Sequence, residues 1–227
     1  MLDVVRKREY FHALAAGHAS LTDHSLKGIQ DGWILGQLGG TRGKTVIEIG
    51  GGNSRVIPRL EGNSIYLIDK YEGVGHGPKS RPKIDGVTII DAYFGEFDSR
   101  IPTADVIFSI SVVEHVPFER YDDFFADICR CLKPGGVTYH AIDLMVSDKT
   151  EAVASRRIEA LRTGVRSAGL VFMEAPSVTT DCVFTSDMAS HSDLAMFQWS
   201  RFAKAVEIVG PTTQAVSLKL AAMRPFE

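Results

Sequence analysis

Five short apolar runs between residues 45 and 142 constrain the fold of this chain more than any other feature. They are TVIEI (45–49), SIYLID (64–69), GVTIID (86–91), ADVIFSI (104–110) and GVTYHAI (136–142). None alternates cleanly between apolar and polar residues, which is typical of parallel strands that are covered on both faces. Because crossover segments separate the runs, we predict an α/β fold with a doubly wound, mostly parallel sheet and helices on both faces.

The segments around these runs are predicted to be helical, with one exception. After the fourth run, an apolar stripe at helical spacing follows Pro117 and stops at 134–136; it consists of Phe118, Tyr121, Phe125, Ile128 and Leu132. Residues 1–40 also show helical spacing. Towards the carboxyl end, the pattern predicts a helix near 149–168, an extended stretch over 170–178, a helix over 192–205 and a final strand over 215–223.

The exception is the connection between the second and third runs. Residues 71–86, YEGVGHGPKSRPKIDG, are rich in glycine and contain Pro78 and Pro82, a composition that does not sustain an ordinary helix. We predict a long irregular loop over 73–86 on the ligand side of the sheet. Its basic residues either offer cations to a phosphate or carboxylate on a substrate or belong to a solvated turn; they are His76, Lys79, Arg81 and Lys83.

The first run ends in three consecutive glycines, Gly50, Gly51 and Gly52. Ligands of an open parallel sheet bind at the carboxyl ends of the strands, near the point where the strand order reverses, so a site is expected here. A phosphate-binding P-loop needs Lys followed by Ser or Thr after its glycines, and GGGNSRVIPRL has no such pair. A dinucleotide-binding loop needs a third glycine where this chain has Arg55. Both phosphate-binding alternatives are therefore disfavoured.

Three carboxylates near the tips of successive strands indicate a different ligand. Glu48 precedes the glycines, Asp69 ends the second run, and Asp91 ends the third. Together they would repel a pyrophosphate, but they suit a ligand that carries an ammonium group, ribose hydroxyls and an adenine amine. S-adenosylmethionine has all three groups and no phosphate.

Five ordered motifs resemble those of the class I S-adenosylmethionine-dependent methyltransferases. They are VIEIGGGNS, IYLIDKYEG, TIIDAYF, DVIFSISVVEHV and LKPGGVTYHAIDL, and they cover about residues 45 to 144. The family pattern E-x-G-x-G-x-G ends in a glycine where this chain has Ser54. The resemblance implies a Rossmann-like fold with a seven-stranded sheet, S-adenosyl-L-methionine as the cofactor, and methyltransferase activity.

The resemblance also assigns roles to residues at the strand tips. Gly50, Gly51 and Gly52 would let the backbone approach the methionine portion and the ribose. Glu48 would hold this loop or reach the amino group through water, and Asp69 would accept hydrogen bonds from both ribose hydroxyls. The rest of the implied cofactor site consists of Lys70 beside Asp69, Asp91 for the adenine amine, Ala92 against the adenine ring, and Ser109 near the methionine end.

Methyl transfer to a hydroxyl requires a base for the acceptor proton, and histidine is the usual side chain near neutral pH. We predict His115, His140 and Asp143 as catalytic residues, with His191 as a further candidate base. Two histidines have structural alternatives, since His115 could close the cofactor site and His140 could be a hydrogen-bonded core residue. Asp143 alone does not form a cluster of metal ligands, so no metal is expected.

These observations predict an enzyme that methylates a small molecule, with O-methylation as the leading hypothesis. Nitrogen and carbon acceptors remain alternatives. Two hypotheses from other classes also remain: a methyltransferase-like protein that binds the cofactor without catalysis, and a nucleotide-dependent dehydrogenase on the same kind of sheet.

Composition and charge indicate a cytoplasmic protein without a nucleic-acid partner. The net charge is −3, and the 25 Lys and Arg residues are scattered along the chain, which disfavours nucleic acid or an anionic membrane as a partner. Cys129, Cys131 and Cys182 lack metal-ligand spacing, as expected for free thiols in a reducing cytosol. No secretory signal and no membrane-spanning segment is evident.

The domain organisation is expected to be simple. We interpret residues 1–227 as a single methyltransferase domain, with an N-terminal helical cap over 1–40 and a cofactor-binding core over 45–144. Residues 145–227 would form a C-terminal half with a substrate-facing insertion. The oligomeric state is left open.

Overall fold

The fold is taken from a computed structural model, which describes residues 1–20, 25–73, 77–147, 151–180, 196–198 and 214–226. The strands are β1 Leu2–Val4, β2 Thr45–Ile49, β3 Ser64–Ile68, β4 Val87–Ile90, β5 Ala104–Ile110, β6 Leu132–Val146, β7 Val171–Phe172, β8 Met196–Gln198 and β9 Gln214–Met223. The α-helices are α1 Lys7–Ala15, α2 Leu26–Leu38, α3 Tyr121–Cys131 and α4 Ala152–Ser167, and short 3-10 helices span Ile57–Arg59, Val113–His115 and Phe118–Arg120.

The sheet confirms the predicted architecture. Seven strands lie in the order β1-β9-β6-β5-β2-β3-β4. Strands β4, β3, β2, β5 and β6 are parallel neighbours, whereas β9 is antiparallel to both β6 and β1. The chain leaves β2 in one direction for β3 and β4 and returns to the other side for β5 and β6. The strand order therefore reverses between β2 and β5, beside the glycines that follow β2.

One edge of β9 is shared by three short strands. Strand β8 pairs with residues 214–216, β1 with Leu218–Leu220, and β7 with Ala222 and Met223. The opposite edge of β9 pairs with β6 along its whole length, from Val137 opposite Met223 to Val146 opposite Gln214. Strands β7 and β8 thus add to the seven strands that the resemblance implies.

Helices cover both faces of the sheet, and the two faces have separate cores. On one face, Trp33 and Leu38 of α2 pack with Phe108 and Tyr139. On the other face, Phe124 and Phe125 of α3 pack with the apolar side of α4. Each fully buried Leu, Ile or Phe contributes about 1.5 to 3 kcal/mol relative to leaving it exposed. Burial on both faces explains why the strands carry no clean polar alternation.

Several expected boundaries were wrong. The segment 1–40 begins with strand β1, because its apolar Leu2 and Val4 pair with β9. Pro117 precedes a 3-10 helix rather than an α-helical first turn, and α3 ends at Cys131. Leu132 already pairs with Ala104, so the predicted stop at 134–136 lies within an irregular start of β6.

The carboxyl-terminal expectations had mixed outcomes. The helix near 149–168 is α4, and the final strand is β9. Within 192–205, residues Met196–Gln198 form a strand rather than the expected helix, and the other residues of that span lie outside the described part of the chain. Residues 77–86 contain no helix or strand, in agreement with the predicted irregular loop, whereas His76 and His191 are not described.

Candidate cofactor and acceptor site

Two of the three glycines after β2 lie where no side chain can be accommodated. Gly50 has a φ of +68°, and its amide donates to the Ile68 carbonyl at 2.8 Å. An added Cβ at Gly50 would lie 2.5 Å from Cγ2 of Val112. At Gly51 an added Cβ would lie 2.5 Å from Cδ of Glu48. The bare backbone is therefore required by packing against Val112, which follows β5, and against Glu48 of β2.

Glu48 lies beneath the glycines with its side chain almost completely buried. Glu48 is 2% exposed. Burial raises the pKa of its carboxyl group to about 8, although a hydrogen bond from Ser54 opposes this shift. The Ser54 hydroxyl also accepts from the amides of Val56 at 3.2 Å and Ile57 at 3.0 Å. Ser54, where the family pattern has glycine, thus holds both Glu48 and the start of the 3-10 helix.

Arg55 occupies the place of the third glycine of a dinucleotide loop and ties the loop to α2. Its Nε lies 2.5 Å from Oδ2 of Asp31. Only the three-residue 3-10 helix Ile57–Arg59 follows, so this loop does not present the amino end of a long helix to a pyrophosphate. The local geometry agrees with the sequence argument against a dehydrogenase.

Asp69 and Lys70 follow β3 at the next strand tip. The amide of Tyr71, a residue with a φ of +56°, donates to Oδ1 of Asp69 at 2.9 Å and so fixes the carboxylate. Partial burial raises the pKa of Asp69. The ammonium of Lys70 lies 5.4 Å from the centre of the Tyr93 ring and 3.8 Å from Oε2 of Glu96. Lys70 therefore faces the loop after β4.

Asp91 and Ala92 follow β4 and stand beside the irregular loop. Oδ2 of Asp91 forms a salt bridge with Arg81, a residue of the 73–86 loop, whereas its buried Oδ1 has no hydrogen-bond partner among the described residues. Ala92 is buried. The loop after it is fixed by Asp127 of α3, which accepts from the amides of Gly95 at 2.8 Å and Phe97 at 3.1 Å. The sequence assigned no function to Asp127, and it suggested Arg81 only as a cation for a substrate or as part of a solvated turn.

His140 is buried in the core, and its contacts do not support its predicted role as a base. The residue is 0% exposed, its Nδ1 lies 2.7 Å from the Ser109 hydroxyl, and its Nε2 lies 2.7 Å from the Thr138 hydroxyl. The ring packs edge-on against Phe125 of α3. Ser109 is also 0% exposed and contacts His140, so its burial does not support its predicted place near the methionine end of a cofactor. These contacts favour the alternative of a hydrogen-bonded core histidine.

Burial of His140 gives a pH-dependent contribution to stability. Burial lowers the pKa of His140 to about 3 from the ordinary value of 6.5, so between these values the unfolded chain binds a proton that the folded chain does not. This contribution to the free energy of unfolding is fully present above pH 6.5. It is lost as the pH falls towards 3, by up to about 1.4 kcal/mol per pH unit.

Substituting His140→Gln is therefore expected to make the free energy of unfolding depend less on pH below pH 6.5. At pH 7.5 the same change should lower the free energy of unfolding by about 1 to 3 kcal/mol, because the buried hydroxyls of Ser109 and Thr138 lose their partners. Urea unfolding between pH 5 and 7.5 measures both effects. His115→Gln, at an exposed 3-10 helix position, is the matched control. Profiles of wild type and His140→Gln with equal slopes would contradict the assignment.

Asp143 belongs to a polar network at the carboxyl end of β6. Its Oδ1 accepts from Nε2 of Gln30 at 2.6 Å and lies 2.9 Å from the hydroxyl of Ser111. Gln30 is fully buried in α2, and Ser111, with a φ of +51°, follows β5 directly. Sequence reasoning missed Gln30 and Ser111, since neither belongs to a recognisable charge pattern.

Glu114 and His115 share the 3-10 helix after β5. Both carboxylate oxygens of Glu114 are buried without a hydrogen-bond partner among the described residues. Burial, with the nearby charge of Asp143 as the next cause, raises the pKa of Glu114 to about 8. His115 is exposed. Glu114 belongs to the motif DVIFSISVVEHV, but the sequence alone assigned it no role.

Two kinds of feature are absent from the described part of the chain. No group of three or more His, Cys, Asp or Glu residues there is arranged to hold a metal ion. Among the same residues, no helix combines the length and apolarity needed to cross a membrane.

Comparisons with known proteins agree with this geometry. Residues 47–140, from β2 to the middle of β6, match the sequence profile of a family described as "Methyltransferase domain". No curated protein sequence matches the chain significantly.

Three solved structures illustrate the shared fold. Haemonchus contortus phosphoethanolamine N-methyltransferase 2, bound to phosphomonomethylethanolamine and S-adenosylhomocysteine, has 16% identity and a TM-score of 0.55 over 85% of this chain and 51% of that protein. This chain thus spans about half of that protein's length. Burkholderia thailandensis 1,6-didemethyltoxoflavin-N1-methyltransferase has 14% identity and a TM-score of 0.53 over 96% and 87%. Bradyrhizobium japonicum N-methyltransferase NodS has 13% identity and a TM-score of 0.51 over 96% and 99%.

The fold and the strand-tip site define a Rossmann-like methyltransferase domain. The family match assigns a methyltransferase domain to residues 47–140, and the solved structures share its fold.

The residues present fit S-adenosylmethionine in two respects. At Gly50 and Gly51 the loop has no room for side chains. Around it, Oε2 of Glu48 and Oδ1 of Asp91 are buried acceptors without partners among the described residues, which suits a ligand rich in donors.

Proposed function

We propose that this methyltransferase acts on a small-molecule acceptor, with the cofactor lying across the carboxyl ends of β2, β3 and β4. The carboxylates at those strand ends are the observation that supports this position of the cofactor. Glu48, Asp69 and Asp91 follow the order of the three strands in the sheet, and the glycine loop lies beside the first. This order matches an ammonium group, a ribose and an adenine laid out in line.

Each residue then has a defined task. The backbone at Gly50–Gly52 approaches the methionine portion, and Asp69 accepts from the ribose hydroxyls with a carboxylate already oriented by the Tyr71 amide. Oδ1 of Asp91 accepts from the adenine amine while Oδ2 stays paired with Arg81. Asp91 can therefore bind the adenine amine and Arg81 at the same time. Lys70 supports the loop beside Ala92 rather than the cofactor itself. The cofactor supplies an activated methyl group, and the protein must orient the acceptor.

Two of the structural relatives bind small molecules. The Haemonchus protein binds phosphomonomethylethanolamine, and the Burkholderia protein binds 1,6-didemethyltoxoflavin. At this level of identity the relatives support the fold alone, so the acceptor of this chain has to come from its own residues. The leading hypothesis of a hydroxyl acceptor has lost His140 as a base, and of the predicted catalytic residues only His115 and Asp143 remain.

Calorimetric titration with S-adenosylmethionine and S-adenosylhomocysteine tests the proposal. We expect a dissociation constant in the micromolar range for at least one of them, and failure of both to bind more tightly than millimolar would overturn it. Mass spectrometry of reactions with a panel of small hydroxyl, amine and carbon acceptors then tests turnover. Tight cofactor binding without transfer to any of them would favour a non-catalytic, cofactor-binding role.

A further inference from the structure

The 3-10 helix that carries Glu114 stands next to the glycine loop. Val112, two residues before Glu114, fills the space where a Cβ on Gly50 would lie. On its other side, the amide of Ser111 donates to the carbonyl of Ala141 in β6 at 2.8 Å. Glu114 is thus placed at the carboxyl ends of β5 and β6, adjacent to the place proposed for the methionine end of the cofactor.

The carboxylate of Glu114 lacks the partners that a buried charge requires. Both oxygens are buried, and neither has a hydrogen-bond partner in another described residue; only the amide of Glu114 itself acts on the carboxyl group. A buried ionised carboxylate without a partner is strongly disfavoured, so it either binds a cation or takes up a proton. The raised pKa of Glu114 has burial as its largest cause, which agrees with this environment.

Asp143 provides a second carboxylate whose orientation is already fixed. Gln30 holds its Oδ1, and Gln30 is itself held at 3.3 Å by the Ser217 hydroxyl. The Ser111 hydroxyl lies 2.9 Å from both Asp143 Oδ1 and Gln30 Oε1. The two acids are close enough that the charge of Asp143 raises the pKa of Glu114. Such a pre-oriented pair has a high affinity for a positive charge placed between its members.

The cations nearby do not form a direct ion pair with these two acids. Lys27 and Arg157 lower the pKa of Glu114 through their charges, but within the described part of the chain neither forms a salt bridge with Glu114 or Asp143. The Lys27 ammonium lies 3.5 Å from the Ile110 carbonyl, and Nη1 of Arg157 is buried without a hydrogen-bond partner among the described residues. Glu114 and Asp143 therefore have no direct cationic partner in the described part of the chain.

We infer that the methyl acceptor is an amine, which binds as an ammonium ion between the carboxylates of Glu114 and Asp143. The inference rests on the proposed function, because it places the acceptor beside the cofactor site. A neutral hydroxyl would leave both carboxylates without a counter-charge, whereas an ammonium group offers a charge and several donors at once.

The pair also accounts for the proton that must leave before transfer. An ammonium ion has no lone pair, so it first gives one proton to the Glu114 carboxylate, which becomes a neutral acid. The nitrogen lone pair then forms the new bond to the methyl carbon, the carbon–sulfur bond breaks, and its electron pair stays on the sulfur of S-adenosylhomocysteine. The nitrogen is left with the positive charge, and Glu114 returns its proton to solvent.

Binding of a simple quaternary ammonium ion tests the inference without knowledge of the acceptor. The protein saturated with S-adenosylhomocysteine is titrated with tetramethylammonium chloride at constant ionic strength, and with tert-butanol as an uncharged molecule of similar size. We expect tetramethylammonium to bind at least about 10-fold more tightly than tert-butanol, and Glu114→Gln and Asp143→Asn each to remove most of this preference. Glu119→Gln, on the next 3-10 helix and exposed, is the matched control and should bind like wild type.

The affinity for S-adenosylhomocysteine, measured on every variant, separates the possible failures. If wild type does not bind S-adenosylhomocysteine, the proposed function fails and this inference fails with it. If S-adenosylhomocysteine binds but tetramethylammonium binds no better than tert-butanol, only the amine inference is overturned. A Glu114→Gln variant that loses about 10-fold in S-adenosylhomocysteine affinity but keeps its preference for tetramethylammonium would assign the carboxylate to the cofactor instead. Should Glu114→Gln fail to fold, Asp143→Asn decides between the same outcomes.

Discussion

Replacing Asp69 with alanine is expected to weaken S-adenosylhomocysteine binding about 100-fold, which corresponds to about 2.8 kcal/mol. A carboxylate that accepts from two ribose hydroxyls makes two charge-assisted hydrogen bonds, each of which contributes about 1.5 to 3 kcal/mol before non-additivity. The Tyr71 amide orients this carboxylate before any ligand arrives, so little binding energy is spent on ordering it. The loss should therefore appear in affinity, with the fold intact.

Calorimetric titration of both proteins measures this effect, and circular dichroism checks the fold. Asp123→Ala removes a carboxylate from an exposed position of α3, 3.7 Å from Arg120, and should leave the affinity unchanged. An Asp69→Ala variant that binds within about 3-fold of wild type would show that the ribose lies elsewhere.

Replacing Gly50 with alanine is expected to lower the free energy of unfolding by about 3 kcal/mol. The added Cβ would lie 2.5 Å from Cγ2 of Val112, and overpacking of this kind costs about 1 to 3 kcal/mol. The left-handed backbone at this residue adds about 1 kcal/mol for any residue with a Cβ. Urea unfolding at pH 7 measures the sum.

Two further variants separate the two causes. Gly40→Ala has a similar backbone, with a φ of +79°, but its Cβ would meet nothing within 4 Å, so it should lose only about 1 kcal/mol. Adding Val112→Ala to Gly50→Ala should recover part of the stability, since it removes the colliding methyl groups. Equal losses for Gly50→Ala and Gly40→Ala would show that packing against Val112 is unimportant.

The sheet and the strand tips of the cofactor site could be predicted from the sequence because they depend on local patterns. Apolar runs of strand length, and acids or glycines directly after them, report which residues lie at the carboxyl edge of a parallel sheet. Ser54 could not be interpreted in this way. Its role depends on the side chain of Glu48 and the amides of Val56 and Ile57, which only the folded loop brings together.

The acceptor side was harder to predict, because side-chain direction on a strand changes with every residue. His140 and Asp143 are three positions apart in β6, so they point to opposite faces of the sheet, one into the core and one towards the site. Gln30 and Ser217 reach Asp143 from distant parts of the chain. Sequence spacing carried no signal for this network, and Glu114 became informative only once its carboxylate was found buried and without a partner.

The shared edge of β9 has a consequence for the order of assembly. The amino group of Met1 donates to the carbonyl of Ala221, 220 positions away, and β1 pairs beside it. Closing a loop of that length is slow, whereas β2 to β5 are neighbours that need only residues 45–110. Ser217 of β9 completes the support of Gln30 and Asp143. During synthesis on the ribosome, strands β2 to β5, within residues 45–110, can therefore form first. The network of Gln30, Asp143 and Ser217 is complete only after β9 has emerged.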